Sequence, residues 1–316
     1  MNYPWVDYRR LIDIEGLSLQ DFNVIKTKAD MLKHPLIINL VNELQAWPGV
    51  VLSSHKSASQ SFHKLAFLAD LGLTKEDEFI LPILNKIREH PSDEGPFQLP
   101  MNITVHFNGS GEDTWAWALC DAPILLYALA KMGLANETDV RKAVDYLVGL
   151  VTDQGWPCAV SKELGKFRGP GKASDPCPYT NLIMLKLMAL YDEYKDTQAA
   201  HIGTDCLLSL FENSLIRHPY MFYMGTDFRK LKVPFIWYDI LHVAEVLSQF
   251  KWVINDPRFI QMMDIINSKA DINQVFTPES IWTAFKDWDF GQKHNPSPWL
   301  SFLIQRLNQR INQASL

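Results

Sequence analysis

At 316 residues, 47% apolar and 21% charged, the chain has the make-up of a globular protein with a large core, long enough for one large domain or two ordinary ones. A formal charge of −6 argues against nucleic acid as the main partner, because phosphate binding favours a basic face. The opening "MNYPWVDYRRLIDIEG" lacks the apolar core of a signal peptide, and no run approaches the ~18 apolar residues of a membrane span.

In chain order, periodic apolar patterning first predicts helices over 18–34 and 36–47. "SFHKLAFLADLGL" (61–73) and "APILLYALAKMGL" (122–134) follow, each ending at a glycine, Gly72 or Gly133, where a C-terminal cap needs positive φ. Each is succeeded by a second periodic segment, 75–90 or 136–151, which closes on an acidic turn, "SDEG" or "TDQG". The period is steady, since 133 − 72 = 61 and 155 − 95 = 60. Pro82 should kink or shorten the helix in 75–90. "MNITVHF" (101–107) is the best strand candidate. Further pairs are predicted over 180–194 with 197–213, and over 238–250 with 256–269. The last helices fall in 277–288 and 297–311, where Thr277-Pro278 and Ser297-Pro298 read as an N-cap followed by Pro at the first helical position.

Helix pairs at a fixed period mean one unit stacked many times. The first helix of each pair is apolar nearly all round and should be buried; the second is more polar and should face water. About twelve helices are enough to close a ring, and neither end of the chain looks like a polar cap. The expected fold is therefore all-α: a single α/α toroid over 1–316, with about five to six helical hairpins in an inner and an outer layer. Residues 1–56 would close the ring, and 57–316 would form the hairpin repeats. The long loops 91–114, 152–178 and 214–236 are where function should gather.

Three features resemble the terpenoid cyclase and protein prenyltransferase superfamily. "KAVDYLVGLVTDQGW" (142–156) is similar to the QW-type repeat of squalene and other terpene cyclases: Lys142-Ala143, Tyr146-Leu147, Gly155 and Trp156 fit, and Val151 stands near the usual Gln position. "RGPGKASDPCPYT" (168–180) resembles the zinc and diphosphate segment of prenyltransferase β subunits, with Arg168, Lys172, Asp175, Cys177 and Tyr179 at or beside the matching places. That family has a Tyr and then a His ligand about sixty residues further on. Here "WYDILH" offers Tyr238, places Asp239 in the ligand position (239 − 177 = 62), and has His242 one turn later. The Asp-x-Asp-Asp and DDxxD patterns are absent, "DWD" at 287–289 being the nearest stretch.

The resemblance implies a transferase-like protein that binds an isoprenoid or other apolar ligand, as its diphosphate, with a zinc-assisted step. Zn2+ would be held by Asp175, Cys177 and either His242 or Asp239. Arg168, Lys172 and Arg229 would neutralise phosphate oxygens, and Tyr179 and Trp237 would shield an allylic cation. His218 adds charge in the same loops, and Trp237, Tyr238 and Trp282 fall where pocket-lining aromatics would stand.

The residues also support plainer readings. Asp175 before Pro176 is a good N-cap, a lone Cys packs as a small hydrophobe, and His242 suits an apolar core. Asp239 would then fix the imidazole tautomer or cap its helix. Asp121 and Asp287 could instead act as paired carboxylates on a carbohydrate. The third reading is a ring that binds or scaffolds without catalysis. The four cysteines, Cys120, Cys158, Cys177 and Cys206, show no CxxC spacing, which fits reduced thiols in the cytoplasm. No protein partner is implied.

Overall fold

The computed structural model describes residues 3–107, 109–165, 167, 175–218 and 222–314. Among them the α-helices are α1 Pro4–Asp13, α2 Phe22–Leu32, α3 Pro35–Gln45, α4 Ser61–Leu71, α5 Ile80–Arg88, α6 Ala122–Leu129, α7 Thr138–Val148, α8 Pro178–Met188, α9 Asp192–Lys195, α10 Gln198–Asn213, α11 Ile240–Leu247, α12 Pro257–Asn267 and α13 Pro298–Ala314. The described strands are β1 Leu99–Met101 and β2 Thr114–Ala116, antiparallel with Pro100 opposite Trp115. The all-α expectation holds. No helix among the described residues is long and apolar enough to cross a membrane. The chain divides into two compact units, Glu43–Gly225 and Met1–Asn42 with Thr226–Leu316.

In the unit Glu43–Gly225 the expected pairing of a buried with an amphipathic helix is plain. Every residue of α6 is buried, and every residue of α8 except Lys186. By contrast α7 buries only Val140, Ala143, Val144 and Leu147, and α5 only Ile80, Ile83, Leu84 and Ile87, the single stripe of an outer helix. α4 packs on α6, α6 on α8, and α8 on α10. Gly72 ends α4 at φ 98°, and Gly133 has φ 105°, as a left-handed cap requires. Pro82 shortens its helix: α5 begins at Ile80, so the proline occupies the first turn, where its missing N–H has no partner to lose. A polar knot holds the C-terminal ends together. Asp70 of α4 accepts from Tyr127 Oη at 2.5 Å and Lys131 Nζ at 2.7 Å, and Lys186 of α8 lies 3.4 Å away.

In the other unit α1 packs on α2 and α13, and α11 on α12. Asp13 pairs with Arg9 and Arg306, and Glu245 with Arg306 and Arg310, which ties α1, α11 and α13 together. Ser297 caps α13 as expected, its Oγ accepting from Leu300 N at 3.1 Å.

Two expectations are corrected. The segment 277–288 is no helix; it holds only a 3-10 turn, Thr283–Phe285. Its polar groups are spent on another loop: the N–H groups of Glu279 and Ser280 donate to Leu231 O, Glu279 Oε2 accepts from Leu231 N, and Trp282 Nε1 donates to Pro234 O. The strand placed at 101–107 is shifted, ending at Met101 with a 3-10 turn over Val105–Phe107. The helix α1 was not anticipated at all.

Candidate functional site

The starts of α6 and α8 carry the chemistry. Cys120 and Asp121 immediately precede α6, and Cys177 is the N-cap of α8. Their separation, 177 − 120 = 57, is close to the helical repeat, so stacking the repeats brings the two cysteines to equivalent, neighbouring places. A third segment lies between them. Leu119 N donates to Ala159 O and Ser161 N to Trp117 O, both at 2.9 Å, while Cys177 N donates to Trp156 O at 2.9 Å. Pro157 bridges to Pro176 and Ala118 to Val160. Cys158 is thereby set beside both helix starts.

The side chains complete the cluster. Cys120 Sγ is 4.0 Å from Thr180 Oγ1, one turn into α8 from Cys177. The neighbouring Cys158 and Cys177 thiols, with burial, push the Cys120 thiol well up. Cys177 moves the other way. The neighbouring Cys120 thiol lowers it; burial opposes this, and Thr180 lowers it further. The thiolate, not the thiol, is the form that reacts as a nucleophile. Cys120, Cys158 and Cys177 are half-buried, whereas Cys206 is buried and its thiol is pushed up to about 12, chiefly by desolvation.

Around the thiols lies a proton-handling group. His55 Nε2 and Asp121 Oδ2 are 2.7 Å apart, and the Asp121 carboxylate, wholly buried, also accepts from Ala118 N. Burial raises the Asp121 pKa, with His55 pulling the other way. His63 Nε2 donates to His55 O at 2.7 Å, and burial drops His63 to about 3, so its ring is neutral. Tyr179 is fully buried, and its phenol is raised by desolvation and by the nearby charges of Cys120, Asp121 and Cys177.

The site rests on the QW-like turn. Trp156 is fully buried, its Nε1 donating to Leu147 O at 3.0 Å. Asn181 of α8 accepts from Trp156 N and donates to Trp156 O and Cys177 O. Gly155 (φ +112°) is required here, because a Cβ would lie 2.4 Å from Asn181 Oδ1.

Three of the expected residues, Asp121, Cys177 and Tyr179, therefore come together, joined by Cys120, Cys158, Thr180 and His55, which the sequence reading passed over. Asp175 is half-buried just before Cys177. Arg168 and Lys172 lie outside the described residues. His218 is exposed and meets Tyr223 edge-on. The remaining expected residues belong to the other unit. There Asp239 caps α11, accepting from His242 N at 2.9 Å, and burial raises its carboxyl to about 7 against the pull of the His242 N–H and Lys232. His242 is buried, its Nδ1 bonded to Trp237 O at 2.8 Å and its ring stacked on Phe235. Tyr238 packs on Phe228, and Lys232 lies over the Trp282 ring. Arg229 is half-buried, and Asp287 is exposed. Its neighbour Asp289 serves α13, accepting from Ser297 Oγ and Trp299 N. Among the described residues no group of three His, Cys, Asp or Glu side chains is arranged to hold a metal ion.

No protein-family model matches the chain, and no curated protein matches it.

Proposed function

We propose that the protein is a thiol-dependent transferase in which the Cys177 thiolate takes up an electrophilic group from an apolar substrate. The observation that supports this reading is the meeting of Cys120, Cys158 and Cys177, from three chain segments, at the N-termini of two buried helices. In the step, Cys177 sulfur bonds to the electrophilic carbon while the bond from that carbon to its leaving group breaks. The leaving group departs with the electron pair, and His55, 2.7 Å from Asp121, is the group placed to hand it a proton. Tyr179 and the apolar walls of α6 and α8 exclude water from the acceptor carbon. The isoprenoid class of substrate, the closed toroid and the zinc come from the sequence resemblance alone. Free thiols need a reducing compartment, and we place the protein in the cytoplasm.

The test uses two probes, farnesyl diphosphate and a decanoyl thioester, each incubated with the whole chain and followed by peptide mass mapping. An adduct on Cys177 that is lost in Cys177→Ser supports the reading. No adduct from either probe, with Cys177 shown to be accessible to iodoacetamide, favours the non-catalytic alternative. That alternative draws its own support from the purely structural contacts of Asp239 and His242.

A further inference from the structure

The polar knot of the unit Glu43–Gly225 carries more charge than its own contacts cancel. Asp70 of α4, Tyr127 of α6, Lys131 just past α6 and Lys186 of α8 meet where the three helices pack side by side. Tyr127 Oη donates to Asp70 Oδ1 and accepts from Lys131 Nζ at 2.6 Å. The ammonium groups of Lys131 and Lys186 lie over the Tyr127 ring, 5.0 Å and 4.5 Å from its centre. Lys131 Nζ is 2.7 Å from Asp70 Oδ1, whereas Lys186 Nζ stays 3.4 Å from Oδ2. Two ammonium groups thus share one carboxylate, and the phenol that donates to it is neutral, so the cluster holds one positive charge in surplus. The side chains are mostly withdrawn from water, 25% exposed at Lys131, 15% at Asp70 and 11% at Lys186. A charge so placed is costly until a counter-charge meets it, and the remaining exposure lets a solute approach.

The same face of α4 carries His63, seven residues before Asp70 (70 − 63 = 7) and about 10 Å away along the axis. His63 is 2% exposed; its Nε2 donates to His55 O, and its Nδ1 meets no hydrogen-bond partner. The ring is neutral, so it does not alter the charge count. The residues flanking the knot, Phe67, Leu71, Ala128, Ala130 and Leu187, are all buried and apolar.

We propose that Asp70, Tyr127, Lys131 and Lys186 form a binding site for the carboxylate of an apolar molecule. A monoanion brings the cluster to neutrality, whereas a phosphate dianion overshoots it. Lys186, the more weakly held of the two cations, supplies the charge-assisted donor, and the apolar flanks suit a hydrocarbon tail. Lys131 stands ten residues beyond Asp121 (131 − 121 = 10), roughly 15 Å along the helix. The site is therefore separate from the thiols, and it does not rest on the reactivity of Cys177.

The experiment titrates the whole chain by calorimetry with octanoate, and separately with 1-octanol and octyl phosphate. Octanoate should bind, and the other two should bind more weakly by about tenfold or more. Lys186→Met should weaken octanoate by at least about tenfold, and Lys186→Arg should retain it. Without ligand, Lys186→Met should melt no lower than wild type, because Asp70 keeps Lys131 and Tyr127 as partners. Octanoate should also protect Lys131 from acetic anhydride, read by peptide mapping. Octanol or octyl phosphate binding as tightly as octanoate, or octanoate binding untouched by Lys186→Met, overturns the site. So does a Lys186→Met chain that melts well below wild type, which would make the knot only a brace between helices. Cys177→Ser should bind octanoate as wild type does, so a failure here leaves the thiolate reading standing, and an unreactive Cys177 leaves this site standing.

Discussion

The N-caps of α8 and α11 are both ionisable, and the two side chains answer to opposite forces. At α8, Cys177 is half-buried, and the neighbouring Cys120 and Thr180 bring its thiol below the ordinary value against desolvation. At α11, Asp239 is buried and has the His242 N–H and the more distant charge of Lys232; desolvation outweighs both, and its carboxyl rises to about 7. The same backbone position thus goes with a lowered thiol in one unit and a raised carboxyl in the other. Position at a helix N-terminus does not decide protonation; the balance of donors against burial does.

The largest way to disturb that contrast is to undermine the support of α8. Trp156→Ala removes a fully buried indole and its hydrogen bond to Leu147 O. It should cost about 5 kcal/mol in urea unfolding and bring Cys177 alkylation to the rate of the unfolded chain.

Asp239→Asn tests the other helix. Folding favours the protonated form of Asp239, so its stabilising contribution is full below about pH 4 and is lost as the pH rises through about 7. Asn keeps the cap without the charge. Thermal melts should show the variant more stable than wild type by at most about 4 kcal/mol at pH 8, and equal to it at pH 4. Equal curves at both pH values would mean that Asp239 is not buried as an acid.

Asn181→Leu is a smaller test, leaving Trp156 N–H without its acceptor. The expected loss is about 2 kcal/mol by urea unfolding. Thr180→Val removes one donor to Cys177 and should cost about 1 kcal/mol while moving the pH midpoint of Cys177 alkylation upward. A midpoint unchanged in that variant would assign the lowered thiol to Cys120 alone.

Much of the helical framework was legible because burial repeats. The stripes of α5 and α7, the all-round apolar faces of α6 and α8, and the glycines at 72 and 133 each state their role locally. The segment 277–288 misled because its cap-and-proline start is a local signal, overruled by the hydrogen bonds that Glu279, Ser280 and Trp282 make to residues 231–234. The candidate site was half-legible. Asp121, Cys177 and Tyr179 could be named from their places at helix starts. Cys120 was passed over because cysteines were sought at CxxC spacing, whereas its signal is the helical repeat, 177 − 120 = 57. His55 and Cys158 give no such signal; they arrive through loop pairings that only three dimensions define.

The most direct measurement is the pH dependence of iodoacetamide alkylation at each cysteine of the native chain, read by peptide mapping with Cys206 as the protected reference. Cys177 should react first and at lower pH than Cys120, Cys158 or any cysteine of the unfolded chain, and its midpoint should rise in Cys120→Ser. A Cys177 midpoint equal to that of the unfolded chain, or untouched by Cys120→Ser, would contradict the account.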